Sequence, residues 1–116
     1  METMEVTQEK AEEATALLKA LANENRLMVL CHLAQGERSV TELAGLVGIR
    51  QANLSQQLAR LRAEGLVKTR RDAKSIYYSL DSVEVMLLMQ LLYQLFCVGG
   101  DATTITLSRD FAVAAE

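Results

Sequence analysis

The sequence predicts a mainly α-helical domain carrying one small β-hairpin. Three observations lead there. None of the 116 residues is proline and half are apolar, so helices run without the usual interruption. Apolar side chains recur with helical spacing in successive segments. One stretch, 66–80, instead alternates and is rich in β-branched and aromatic residues. A chain of this length supports a single core, and pairing with a second copy enlarges it.

Residues 8–21 form the first predicted helix, with Ala11, Ala14, Leu17, Leu18 and Leu21 along one side. Asn23 is placed to cap a second helix, 24–35, whose apolar face reads Leu27, Leu30, Cys31 and Ala34. Gly36 ends it. Ser39 with Glu42 makes a capping box for a short helix, 40–47. Gly48 then supplies a turn. The next helix starts at or just before Asn53, presents Leu54, Leu58 and Leu61 inward, and stops at Gly65. Residues 66–70 and 75–80 read as paired strands with a polar tip at 71–74. Asp81 is expected to cap a last helix, 82–97, with Gly99 and Gly100 stopping it. The tail, 99–116, takes no assignment, so 1–98 is read as the domain. Helix, Gly turn, helix and basic hairpin, in that order, are the parts of a winged helix-turn-helix.

The net charge of −3 hides an asymmetry. Segment 50–74 carries +5, while 1–25 and 75–116 carry −4 each. An acidic body with one basic stripe presents one face to phosphates. The fourth predicted helix begins with the side chains that a major-groove helix uses. Gln51, Asn53, Gln56 and Gln57 carry amides that can bond adenine bidentately, Ala52 is short enough to allow close approach, and Ser55 reaches a base edge or phosphate. Arg60, farther along, suits a phosphate, and the hairpin residues Lys68, Arg70, Arg71 and Lys74 suit the DNA backbone or the adjacent minor groove. Double-stranded DNA is the partner these residues predict. A winged helix that binds protein would not need the stripe.

The N-terminus is acidic and polar, unlike a secretory leader. The apolar run 85–98 contains Gln90 and Gln94 and falls short of the ~20 residues that cross a bilayer. A cytoplasmic protein with no membrane partner is expected. Cys31 and Cys97 are then not a structural disulfide framework; they are buried hydrophobes or reactive thiols. No phosphate loop, dinucleotide turn, catalytic triad or metal-protease motif is present, so no catalytic residue and no cofactor is predicted.

Several blocks resemble the ArsR family of bacterial repressors. Leu21-Ala22-Asn23-Glu24-Asn25-Arg26-Leu27 is similar to its second helix. Ser39-Val40-Thr41-Glu42-Leu43-Ala44, Leu54-Ser55-Gln56-Gln57-Leu58 and Leu61-Arg62-Ala63-Glu64-Gly65-Leu66-Val67 are similar to its later blocks, with Gln57 where many members carry His. The resemblance spans about residues 10–97. It implies a homodimeric winged-helix repressor that leaves its operator when an inducer binds. The family's metal sites are not matched. Ser39 and Thr41 stand where one type has Cys-x-Cys, and the single histidine, His32, does not lie on the last helix, where another type gathers its ligands. No metal site is predicted.

Two cysteines 66 residues apart, one on the second helix and one on the last, resemble the sulfide-responsive BigR and SqrR type within that family. That resemblance implies an inducer of the persulfide or polysulfide class, which joins Cys31 to Cys97 through a disulfide or a short sulfur chain. A metal-responsive repressor, a winged-helix protein-interaction module without an inducer, and a repressor with inert cysteines and no inducer are the competing readings. The last helix is apolar almost all round, and pairing with the first helix across a two-fold axis is expected.

Overall fold

The computed structural model describes residues 5–97. In chain order the elements are α1 (Gln8–Leu21), α2 (Glu24–Ala34), β1 (Arg38–Ser39), α3 (Val40–Val47), α4 (Gln51–Ala63), β2 (Val67–Asp72), β3 (Ser75–Leu80) and α5 (Val83–Phe96). The winged helix-turn-helix is therefore present. α2 lies against α3, α4 and α5, and β2 pairs antiparallel with β3.

The caps follow from side-chain chemistry. Thr7, Asn23 and Ser39 each accept a bond from a backbone N–H three residues on. Ser39 and Glu42 close the reciprocal capping box, at 3.1 and 2.8 Å. Gly48 leaves α3 at φ 79°, a left-handed conformation a Cβ disfavours, while its N–H bonds the Ala44 carbonyl. This turn sets α4 across α3.

The core gathers Val29, Leu30 and Leu33 of α2, Leu43 of α3, Leu54, Leu58 and Leu61 of α4, and Val85 and Met89 of α5. Leu58 is fully buried, so Leu58→Ala removes packed methyl groups and leaves a cavity. That substitution is expected to destabilise the fold by about 2–5 kcal/mol, measured by denaturant unfolding.

Four expectations need correction. The inward face of α2 is Arg26, Val29, Leu30 and Leu33; Leu27, Cys31 and Ala34 sit at the core margin. Apolar side chains nearly all round α2 allow two helical registers, and the buried Arg26 decides between them. Ser82, not Asp81, caps α5, its hydroxyl accepting from the Val85 N–H at 3.2 Å, while Asp81 faces Lys68 at 4.0 Å. The first hairpin strand runs on to Asp72, leaving only Ala73 and Lys74 at the tip, while the second spans the expected 75–80. The sheet also has a third strand, β1, which pairs Arg38 with Tyr78 and Ser39 with Tyr77. Two residues carry no visible alternation, so β1 has no sequence signature. The predicted stop at Gly99 and Gly100, and the tail 99–116, lie outside the described residues.

α1 uses its apolar side sparingly. Within the chain only Ala20 and Leu21 are buried, and Leu18 stays 59% exposed. α5 likewise exposes Val83, Tyr93 and Phe96, the last to 80%.

Candidate nucleic-acid interface and thiol pair

α4 is fixed on one side by Leu54, Leu58 and Leu61. Helical geometry then turns Gln51, Ala52, Asn53, Ser55 and Gln56 to the surface, and all five are exposed. Gln57 is half-buried. The first turn of α4 contains no acidic residue, and Arg50 caps it without a side-chain bond. The positive end of the helix dipole thus meets no carboxylate of that turn.

The basic side chains differ in their commitments. Arg60 pairs with Glu64 at 3.3 Å, one turn along α4. Arg70 is held hardest. It donates to both Glu37 oxygens, at 3.0 and 2.8 Å, reaches Asp72 at 3.8 Å and lies 4.8 Å over the Tyr77 ring. The bonds from Arg70 hold the Glu37 carboxyl below the usual carboxylate range. Arg70 thus ties the turn after α2 to the wing, and a phosphate would have to share it. Arg50, Arg62, Arg71 and Lys74 make no ion pair among the described residues. Arg71 and Lys74 are exposed at the wing tip.

Arg26 is the residue that composition and charge counting overlook. It is only 7% exposed. Its Nε donates to the Ala20 carbonyl at 2.7 Å, Nη2 to the Lys19 carbonyl at 3.2 Å and Nη1 to Gln57 Oε1 at 3.1 Å. The last four carbonyls of a helix lack partners within it. In α1, Ala22 N–H serves Leu18 and Asn23 N–H serves Leu21, and Arg26 serves the two between. A basic residue three places after a capping Asn, at the head of the apolar run Leu27–Cys31, is the available signal.

The two cysteines are free thiols. Cys31 is half-buried on α2, and its Sγ lies 3.6 Å from Met89 Sδ on α5. It lines an open cleft of about 530 Å³ between the two helices, together with Ala34, Gln35, Met89, Gln90, Tyr93 and Gln94. Cys97 is exposed at the end of α5, its N–H bonded to the Tyr93 carbonyl at 2.8 Å. Burial, and secondarily the nearby Cys97 thiol, push the Cys31 thiol above the ordinary value. Among the described residues no three His, Cys, Asp or Glu side chains are grouped to hold a metal ion. None of the described helices is long and apolar enough to cross a membrane.

Residues 23–69 match the family of bacterial regulatory proteins of the arsR type. The chain is 50% identical over 90 residues to the biofilm growth-associated repressor of Agrobacterium fabrum, covering 78% of this chain and 77% of that protein. It is 49% identical over 84 residues to the transcriptional activator HlyU of Vibrio cholerae, covering 72% of this chain and 78% of the relative. The fold superposes on reduced HlyU from Vibrio cholerae with a TM-score of 0.76 and 46% identity, across 78% of this chain and 95% of the other. These relatives are regulators of transcription, not enzymes. With its helix-turn-helix, its wing and these identities in place, the chain belongs to the ArsR family of bacterial transcriptional regulators.

Proposed function

We propose that this regulator is a cytoplasmic, homodimeric repressor, that 1–98 reads operator DNA, and that sulfur chemistry at Cys31 and Cys97 releases it. The observation that carries this reading is the position of the two thiols. Cys31 lines the cleft between α2 and α5, and Cys97 follows Tyr93 of the same cleft by one helical turn. A homodimeric winged-helix relative from Mycobacterium bovis supports the assembly, as do the exposed apolar residues of α1 and α5.

In the proposed dimer, α4 enters the major groove with Gln51, Ala52, Asn53, Ser55 and Gln56, and Gln57 backs them from the helix side. Arg71 and Lys74 anchor phosphates from the wing; Arg60, Lys68 and Arg70 do so only by sharing their acidic partners. Gln56→Ala is expected to weaken the selected duplex by about 1–3 kcal/mol while leaving random DNA nearly unaffected. Arg71→Ala is expected to weaken all duplexes alike and to reduce the salt slope by about 1. Fluorescence anisotropy across a salt series separates the two. Equal losses on selected and random DNA from Gln56→Ala would contradict its assignment.

The chemistry begins at the exposed thiol. The Cys97 thiolate attacks the sulfane sulfur of a small persulfide, takes that sulfur and releases the donor as a thiol. The Cys31 thiolate then attacks the Cys97 sulfur, expels hydrosulfide and closes a disulfide. If Cys31 has itself taken up a sulfur, its outer sulfur attacks instead, hydrosulfide leaves, and a trisulfide results. Either way the two thiols lose two electrons and the donor gains them. A direct disulfide needs Cα atoms within about 7 Å, and a longer sulfur chain spans a wider gap with less strain. Because the Cys31 thiol is pushed up, the closing step accelerates as pH rises toward its titration. Intact mass spectrometry after treatment with a glutathione persulfide tests the reading. It predicts the mass of an internal bridge, absent from Cys31→Ser and Cys97→Ser; a wild type that gains sulfur at single thiols and never bridges would contradict it.

A further inference from the structure

We infer that Arg26, acting through Gln57, fixes which way Asn53 presents its amide to the DNA. The inference rests on α4 being the groove helix, as proposed above. Arginine has donors and no acceptor. Gln57 must therefore turn its oxygen toward Arg26 Nη1, which it meets at 3.1 Å. Its NH2 group is then the end that points along α4, and it donates to Asn53 Oδ1 at 3.2 Å. Asn53 in turn has its oxygen engaged and its NH2 free for the groove. Amide orientations are ordinarily ambiguous. Here one buried guanidinium sets the sense of the whole chain of bonds. Arg26 is held in place, because its other two nitrogens donate to the Ala20 and Lys19 carbonyls of α1.

The consequence is a preference in base reading. An outward NH2 group matches acceptors in the major groove, best of all the adjacent N7 and O6 of guanine. It does not match cytosine, which offers a donor there. Gln57 is thus a positioning residue rather than a base reader. Its half-buried place under Asn53 agrees with that role.

The sense of the chain can be inverted. In Gln57→Glu the carboxylate still accepts from Arg26, so the fold keeps its buried partner. A carboxylate has no proton for Asn53, which must then turn its NH2 inward and its oxygen toward the groove. The base under Asn53 should change from guanine to a donor-bearing base, cytosine or adenine. Gln57→His restores one acceptor and one donor and should select as wild type does. Gln57→Leu removes both and should blur the choice at that position.

The test is selection from a randomised duplex library at low salt, where phosphate contacts keep every variant bound. Wild type, Gln57→Glu, Gln57→His, Gln57→Leu and Asn53→Ala are compared by sequencing the recovered duplexes. The expected result is a swing of about tenfold at one base pair per half-site between wild type and Gln57→Glu, at the position that Asn53→Ala leaves unselected. If Asn53→Ala alters selection but Gln57→Glu selects the wild-type base, the relay is wrong. If Asn53→Ala selects the wild-type sequence, the reading of Asn53 as a groove residue fails first.

Discussion

Phe96→Glu is expected to convert the dimer to monomers and with that to abolish tight operator binding. Phe96 is the most exposed large apolar residue of α5, at 80%, and Tyr93 lies three residues before it on the same side of the helix. A large apolar side chain buried in an interface contributes about 1.5–3 kcal/mol. A two-fold axis brings each substitution in twice, so the apolar loss alone is about 3–6 kcal/mol, before any penalty for burying two carboxylates. Leu92, on the same helix, packs against its own core and is a poorer probe of the seam. Sedimentation at micromolar concentration checks the result. Persistence of the dimer in Phe96→Glu would move the interface away from the end of α5.

The second large effect is loss of response without loss of binding. Cys31→Ser and Cys97→Ser should each hold the operator as the reduced wild type does. After a persulfide donor, wild-type affinity should fall about tenfold or more, within the range of ordinary allosteric coupling. Neither variant should follow, since a sulfur carried on one helix cannot tie it to the other. The coupling runs through packing. α2 touches α3 and α4 as well as α5, so a bridge between α2 and α5 acts on the elements that carry α4. The two α4 helices of a dimer must match half-sites about one DNA turn, ~34 Å, apart, and a small change in their spacing breaks that match.

Much of this fold is legible in the sequence because its devices are local. The Ser39–Glu42 box, the Gly48 turn, the Leu54, Leu58, Leu61 stripe and the alternation of 75–80 each lie within a few residues and have one structural solution. What is not legible depends on distant partners. The strand β1 exists only because Tyr77 and Tyr78 pass beside Arg38 and Ser39. The register of α2 is chosen by Arg26, whose partners are carbonyls six and seven residues back and an amide 31 residues ahead. The capping of α5 by Ser82 rather than Asp81 is a choice between two adjacent capable side chains; Ser82 takes the Val85 N–H and Asp81 lies 4.0 Å from Lys68. At the candidate site, charge counting groups Arg70 with Arg71. The structure separates them, because Glu37 lies 33 residues from Arg70 in sequence and 2.8 Å away in space.

Whether a Cys31–Cys97 bridge releases DNA is decided by the operator affinity of protein whose bridging state is known. Fluorescence anisotropy with a duplex selected by the reduced protein is measured before and after persulfide treatment, and the same samples are weighed by intact mass spectrometry. The reduced form is expected to bind tightly, and binding is expected to weaken in proportion to the fraction bridged between Cys31 and Cys97. Fully bridged protein that binds the duplex with unchanged affinity would contradict that expectation.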